Sequence, residues 1–200
     1  MAGAAAVTHT PEGPAPPDIA ALMVQRGTLH IPTLAVQSDY ARFADDPTLL
    51  DSPLLRSLVG PQMIALFKAP PPASMAGWMD FEHRMRQSNG EAVRTLAAAG
   101  VAMVTGTDAG NPAVFQGYSV HRELRLLVEA GLSPWDALAA TTVNAGRLLG
   151  RKWGMDAGDE GTLVILDASP LDDIRNTERI HAVILRGVNV NRDDVWPIRR

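Results

Sequence analysis

The stretch Val101-Ala102-Met103-Val104-Thr105 is apolar at successive positions rather than alternate ones, and it runs straight into Gly106-Thr107-Asp108-Ala109-Gly110. A strand that is apolar on both faces has to be covered on both, which is the situation of a parallel sheet flanked by helices. The remaining chain fits that environment, because strand-like and helix-like stretches alternate along it in the manner of an α/β fold. Val7-Thr8-His9 reads as the end of a short buried strand. A proline-rich loop from Pro11 to Pro17 leads from it into a helix with Asp18 as N-cap, Ile19, Leu22 and Met23 on one face, and Gly27 just past its end. Thr28 to Val36 reads as a second strand, which Pro32 reduces to a bulge or a strand end.

The pattern changes between Gln37 and Ser74, where six prolines (Pro47, Pro53, Pro61, Pro70, Pro71 and Pro72) surround two short apolar helical pieces near Leu54 and Ile64. We expect a long irregular, lid-like connection there. Ser74 to Ala99 reads as a helix interrupted near Ser88-Asn89-Gly90. Beyond the 101–105 strand come a helix from His121 to Ala130, a helix opened by Ser133-Pro134-Trp135-Asp136, and a short one around Ala145 to Leu149. After Trp153 the texture becomes short strands, with Gly187 at a hairpin turn. The expected division is therefore residues 1–152 with a lid-like insertion at 37–74, and residues 153–200 as a small β appendage.

Composition narrows the function classes. The 200 residues are 46% hydrophobic and 20% charged, a globular balance that argues against disorder. The formal charge of −4 leaves no electrostatic footprint for nucleic acid, and the basic pair Arg199-Arg200 stands alone. The opening residues lack the pattern of a signal peptide and no long apolar run occurs, so we expect neither membrane insertion nor secretion, and a cytoplasmic location. With no cysteine, a metal site would have to draw on His, Asp or Glu. There is no phosphate loop, no dinucleotide fingerprint, and Gly117-Tyr118-Ser119-Val120-His121 misses the nucleophile elbow.

Asp108 is the first candidate for chemistry. An apolar strand delivers it into a glycine-flanked turn at the end where parallel α/β folds build active sites, and its carboxylate could ligate a divalent metal or act as a base toward water. A helix cap is the alternative reading. His9 also falls at a strand end, where an imidazole could ligate a metal or simply be a polar residue. His121 could face the same site or sit in a solvated first turn, with Glu123 beside it favouring the helix dipole. His30 suggests packing or a backbone hydrogen bond, and His83 and His181 suggest surface or packing positions.

Taken as an ordered series, these residues resemble the amidohydrolase superfamily, in particular the C-terminal half of imidazolonepropionase-like and prolidase-like members. The resemblance rests on residues 104–110, His121-Arg122-Glu123-Leu124, Leu127 to Pro134, Ala140 to Ala145, Leu148-Leu149-Gly150 and Leu163 to Asp167, with Gln25-Arg26-Gly27 and Ile31-Pro32-Thr33-Leu34 upstream. It implies the last part of a metal-dependent (β/α)8 barrel, about three βα units, with a small β-sandwich appendage. Asp108 would then be the metal-binding, proton-shuttling aspartate of the eighth strand and His9 the metal-binding histidine of the sixth; His121, if it faces that site, is the expected substrate-binding residue. The implied chemistry is hydrolysis of a non-peptide C–N bond, in a small amide or cyclic amide, by water whose pKa a divalent ion (zinc above all) lowers to about 7.

The family's His-x-His pair is absent, and Lys68 and Lys152, the only lysines, lie in segments that do not correspond to its ligating lysine. His9 and Asp108 supply two ligands where zinc takes three or four. We therefore expect an incomplete chain, inactive in isolation, that associates with itself or with a missing N-terminal half. A non-catalytic remnant or interaction module is the alternative.

Overall fold

Three parallel segments run side by side in the computed structural model, which describes residues 3–192. Trp196 and Arg199-Arg200 lie outside the described residues. Strand β1 (Ala6–Thr8) pairs in parallel with β2 (Leu29–Ile31), Ala6 opposite Leu29 and Thr8 opposite Ile31. The 101–105 run lies on the other side of β2, where the His30 N–H donates to Ala102 O (3.0 Å) and the Val104 N–H donates to His30 O (2.8 Å). A single bridge forms there, and the outer side of this run bonds to helices: the Thr105 N–H donates to Ala140 O (3.1 Å) and Asn144 Nδ2 donates to Met103 O (2.9 Å). Val101, Met103 and Val104 are buried, as their unbroken apolar pattern requires. β1 is instead an edge strand, with Val7 44% exposed.

The connecting helices depart from the sequence reading in instructive ways. Helix α1 (Pro17–Arg26) starts at Pro17, with Pro16 as N-cap and Asp18 inside the first turn. Its inward stripe is Ala20 and Met23, while Ile19 faces solvent. The expected irregular lid is largely helical: α2 (Asp39–Asp45), a 3₁₀ turn at Pro47–Asp51, α3 (Pro53–Leu58), α4 (Pro61–Lys68) and a 3₁₀ turn at Ala73–Met75. Pro47, Pro53 and Pro61 each occupy the first turn of a helix, where the missing N–H is no loss and the fixed φ suits the helix. Asp46 and Ser52 cap two of these starts from the position before, accepting from the Thr48 and Leu55 N–H groups. This segment owns a core of Phe43, Leu50, Leu55 and Ile64, which it shares with Ala113 and Tyr118.

Helix α5 (Ala76–Ala98) runs unbroken through Ser88-Asn89-Gly90, since Gly90 lies at a close approach to Ala130 rather than at a break. Helices α6 (Ser119–Glu129), α7 (Pro134–Thr141) and α8 (Val143–Leu148) follow, α7 opened by the Asp136 N–H donating to Ser133 Oγ (3.1 Å). The main core gathers Met23, Leu34, Val93, Leu96, Met103, Leu124 and Leu127 between the strands and these helices.

The last part is a three-stranded antiparallel sheet, β3 (Leu163–Leu166), β4 (Ile180–Leu185) and β5 (Val188–Asn189). Arg186 and Gly187 both have positive φ (51° and 79°) between Leu185 and Val188, the backbone of a two-residue hairpin turn. A 3₁₀ turn at Ile174–Glu178 joins it to the main core through buried Ile174. Among the described residues no helix is long and apolar enough to cross a membrane.

Candidate active site at the strand ends

The three parallel segments end on the same side, and just past each end stands a non-glycine residue in the left-handed region: His9 (φ 66°), Thr33 (φ 54°) and Asp108 (φ 56°). Such backbone is disfavoured for any residue with a Cβ, and most for a β-branched one such as Thr33. Strain of this kind persists only where surrounding structure enforces it, and it gathers at functional sites. Here it marks the C-terminal ends of the parallel strands.

Asp108 reaches its place because Gly106 lets the chain pass against β2. A Cβ at Gly106 would lie 2.4 Å from Ile31 Cγ2, so only glycine fits. The Asp108 side chain is exposed and makes no hydrogen bond or ion pair among the described residues, while its carbonyl accepts from Asn111 Nδ2 (2.9 Å). The next helix begins at Ser119, so Asp108 caps none.

His9 is held at both ends. Its N–H donates to Ile31 O (3.0 Å), and its ring Nδ1 lies 2.7 Å from Thr33 Oγ1. The Thr33 hydroxyl also lies 2.6 Å from Pro32 O. A hydroxyl has one proton, and a carbonyl can only accept. Thr33 therefore donates to Pro32 O, and His9 Nδ1–H donates to Thr33 Oγ1. In the neutral ring this leaves the lone pair on Nε2, the state in which an imidazole ligates a metal.

Thr33 is fixed in turn from α6. The Leu34 and Ala35 N–H groups each donate to one carboxylate oxygen of Glu123, both at 2.8 Å, and Glu123 is fully buried. Burial pushes the Glu123 carboxyl up to about 8, against the opposing pull of those two N–H groups. Beside it Arg122 forks onto Asp39, Nε to Oδ2 at 3.1 Å and Nη2 to Oδ1 at 2.8 Å, with both groups buried and the guanidinium 5.7 Å from the Phe43 ring centroid. Burial alone would lower the Arg122 pKa, but the charge and hydrogen bonds of Asp39 outweigh it and raise it. His30, buried in the middle of β2, is held by burial down to about 4 and is neutral. Sequence reasoning saw Glu123 only as a helix-dipole residue and missed Thr33, Asp39 and Arg122.

His121 sits in the first turn of α6, half-buried, where burial lowers its pKa against the raising influence of Glu178. It shares no hydrogen bond with His9 or Asp108. His83 and His181 are surface residues near Asp45 (3.3 Å) and Asp167 (3.0 Å). A cavity of about 960 Å³ opens beside the Asp108 loop, with Gly110-Asn111-Pro112 on one wall and Tyr40, Met63, Phe67, Met75 and Phe115 elsewhere. Among the described residues no group of three or more His, Cys, Asp or Glu side chains could hold a metal ion. His9 and Asp108 offer one nitrogen and one carboxylate, a fitting part of a ligand set but not a whole one.

The amidohydrolase family model matches residues 3–190. The chain belongs to the amidohydrolase family. Among solved structures, this amidohydrolase chain is similar to a Xaa-Pro dipeptidase with bound methionine in its active site (19% identity, TM-score 0.61, 94% of this chain and 40% of that one). It is also similar to a molinate hydrolase (20%, TM-score 0.62, 94% and 38%) and a bottromycin amidohydrolase (27%, TM-score 0.59, 84% and 38%). The chain thus spans 38–40% of the length of these structures. No curated protein matches it. Family and neighbours together imply an α/β fold of the TIM-barrel type.

Proposed function

We propose that the chain forms the closing part of a metal-dependent amidohydrolase, three successive βα units followed by one layer of a β-sandwich, and that it contributes to hydrolysis of a C–N bond in a small amide or cyclic amide. The observation that carries this is the gathering of strained His9, Thr33 and Asp108 at three neighbouring strand ends, with His9 Nε2 and the Asp108 carboxylate uncommitted. His9 and Asp108 would hold a divalent ion together with ligands from outside these residues. Such an ion, zinc being the best match to imidazole and carboxylate, lowers the pKa of water and polarises an amide carbonyl.

The chain's own residues have separable tasks. Asp108 accepts the proton of the attacking water and passes it to the leaving nitrogen. Thr33 keeps the His9 ring in one tautomer. His121 takes the substrate side as a neutral imidazole, and the largely apolar cavity beside residues 110–112 receives the non-reacting part of the substrate. The formal charge of −4 suits a small-molecule substrate better than nucleic acid, and we place the enzyme in the cytoplasm.

Calorimetric titration of zinc into the chain tests the ligand assignment. We expect weak binding that both His9→Gln and Asp108→Asn reduce by about tenfold or more, in the range seen when a metal site loses a supporting group. Zinc binding unaffected by either substitution would remove the basis of this reading. Tight stoichiometric zinc binding by the chain alone would show instead that it holds a complete site.

A further inference from the structure

The cavity of about 960 Å³ beside the Asp108 loop is lined by two parts of the chain that are distant in sequence. One is α4, through Met63 and Phe67, with the strap of prolines that follows it; the other is the loop from Gly110 to Gln116, just past Asp108. Both are held in place by the chain itself. Ala69 and Pro72 have the extended dihedrals of a polyproline segment (φ −72° and −66°, ψ 150° for each), which makes a stiff strap. Ala113 is 1% exposed in the core shared with Phe43 and Leu50, and its φ of 65° is one that a residue with a Cβ keeps only where its surroundings enforce it.

The lining is aromatic and uncharged. Phe67 stands edge-on to both Tyr40 (ring centroids 5.8 Å apart) and Phe115 (5.3 Å), and Phe115 rests against buried Phe43 (6.1 Å). Tyr40, Phe67 and Phe115 are themselves only half-buried, and the thioethers of Met63 and Met75 line the same space. Among the described residues no Asp, Glu, Lys, Arg or His side chain lines it. Its polar side chains are neutral: Tyr40, Asn111 and Gln116. Asn111 Nδ2 donates to Asp108 O (2.9 Å), so Oδ1 is the atom Asn111 can offer, an acceptor for a ligand N–H. A carboxylate or ammonium seated here would give up water without gaining a counter-ion. A flat uncharged ring would exchange water for ring edges and sulfur.

Resting on the hydrolase reading above, we propose that this cavity sets the substrate class: amides whose non-reacting part is an uncharged aromatic group. Gly110 and Asn111 on its wall share one loop with Asp108, so a ring held here keeps the attached amide at the loop that carries the reacting carboxylate. The free carboxylate of a dipeptide, by contrast, would find no cation on these walls.

The test is titration of the full chain, without metal and at neutral pH, with phenylacetamide, with phenylacetate and with cyclohexaneacetamide, read by calorimetry and ligand-observed NMR. One phenylacetamide is expected per chain with a Kd of about 1 mM, ordinary for a ligand this small. Phenylacetate, nearly the same in shape but charged, is expected at least about tenfold weaker. Cyclohexaneacetamide, of similar bulk but not aromatic, is expected about threefold weaker, the worth of ring-to-ring contact. Met63→Lys places a cation on the wall at a residue 45% exposed, and is expected to narrow the preference for amide over acid to about threefold or less. Ile19→Lys, at an exposed apolar residue of α1 that does not line the cavity, is expected to leave the preference unchanged. Equal affinity for phenylacetamide and either comparison compound would overturn the proposal, and that comparison needs no variant to fold. No saturable binding up to about 20 mM would overturn it too. So would several amides bound per chain indifferent to Met63→Lys, which would place them on exposed strand edges. Amide affinity that falls as the chain is raised from about 10 μM to 1 mM would show a second copy seated in the cavity, and would overturn it as well. No metal enters the measurement. If the amide preference fails while His9→Gln and Asp108→Asn still weaken zinc binding, the hydrolase reading stands and only the substrate class falls.

Discussion

The hydroxyl of Thr33 makes two contacts with one proton, and that shortage determines what His9 can do. Thr33→Val keeps the β-branched shape and removes the acceptor for His9 Nδ1–H, so the ring loses its tautomer preference and its orientation. We expect zinc affinity to fall by about tenfold, the lower end of what losing a group behind a ligating histidine entails. Thr33→Ser, which retains the hydroxyl, should bind zinc like the parent chain. Equal affinity in the Val and Ser variants would show that Thr33 does not position His9. Asp108 and His9 became candidates from the sequence because each stands at the end of a recognisable strand. Thr33 and Glu123 were illegible for a physical reason. Their roles depend on partners 24 and 89 residues away, and no local periodicity encodes that. The need for glycine at 106 was equally hidden, because what approaches it is the Ile31 side chain from β2.

At the level of helices, buried carboxylates tie the 37–75 segment and the strand ends to α5 and α6. Glu123 takes the N–H groups that follow β2, and Glu82 takes the Ala41 N–H (2.8 Å) and Trp78 Nε1. Burial raises Glu82 to about 7 and Glu123 to about 8, so the folded chain holds protons that the unfolded chain releases near 4.5. Stability from these two groups is then full below about 4.5 and declines as pH rises to about 7 and 8, respectively. His30 acts in the other direction. Its folded pKa of about 4 lies below the ordinary 6.5, so its contribution is full above 6.5 and is lost as pH falls to about 4. Glu82 and Glu123 should make urea midpoints fall from about pH 6.5 to 8, above the range in which His30 changes its contribution. The Glu82→Gln variant should show a shallower fall up to pH 7. A midpoint that rises through that window would contradict the protonated state of both carboxyls. The prolines explain why this layer was misread from sequence. They were counted as breakers, yet Pro47, Pro53 and Pro61 sit where a helix begins, and only Pro70 to Pro72 lie outside regular helix.

Across the whole molecule, three parallel segments do not close a barrel, which takes about eight strands and about 250 residues. The three strand-like runs were legible in the sequence. Where the surface would stay open was not, because exposure depends on which edges find a partner. The structure locates the open surface at β1, with Val7 44% exposed, and on the β3-β4-β5 sheet, where Val164, Ile165 and Val188 are 57%, 45% and 67% exposed. Unpaired strand edges carrying apolar side chains pair with other chains unless a charge or a cover prevents it. We therefore expect the chain to self-associate as its concentration rises, seen as a growing sedimentation coefficient in sedimentation velocity. Val7→Lys combined with Val164→Lys places a charge on each open edge and should return the species to a monomer with unchanged helix content. If the unsubstituted chain stays monomeric from about 1 μM to 1 mM, the range in which unpaired edges and apolar surface drive association, those edges are protected within the chain itself.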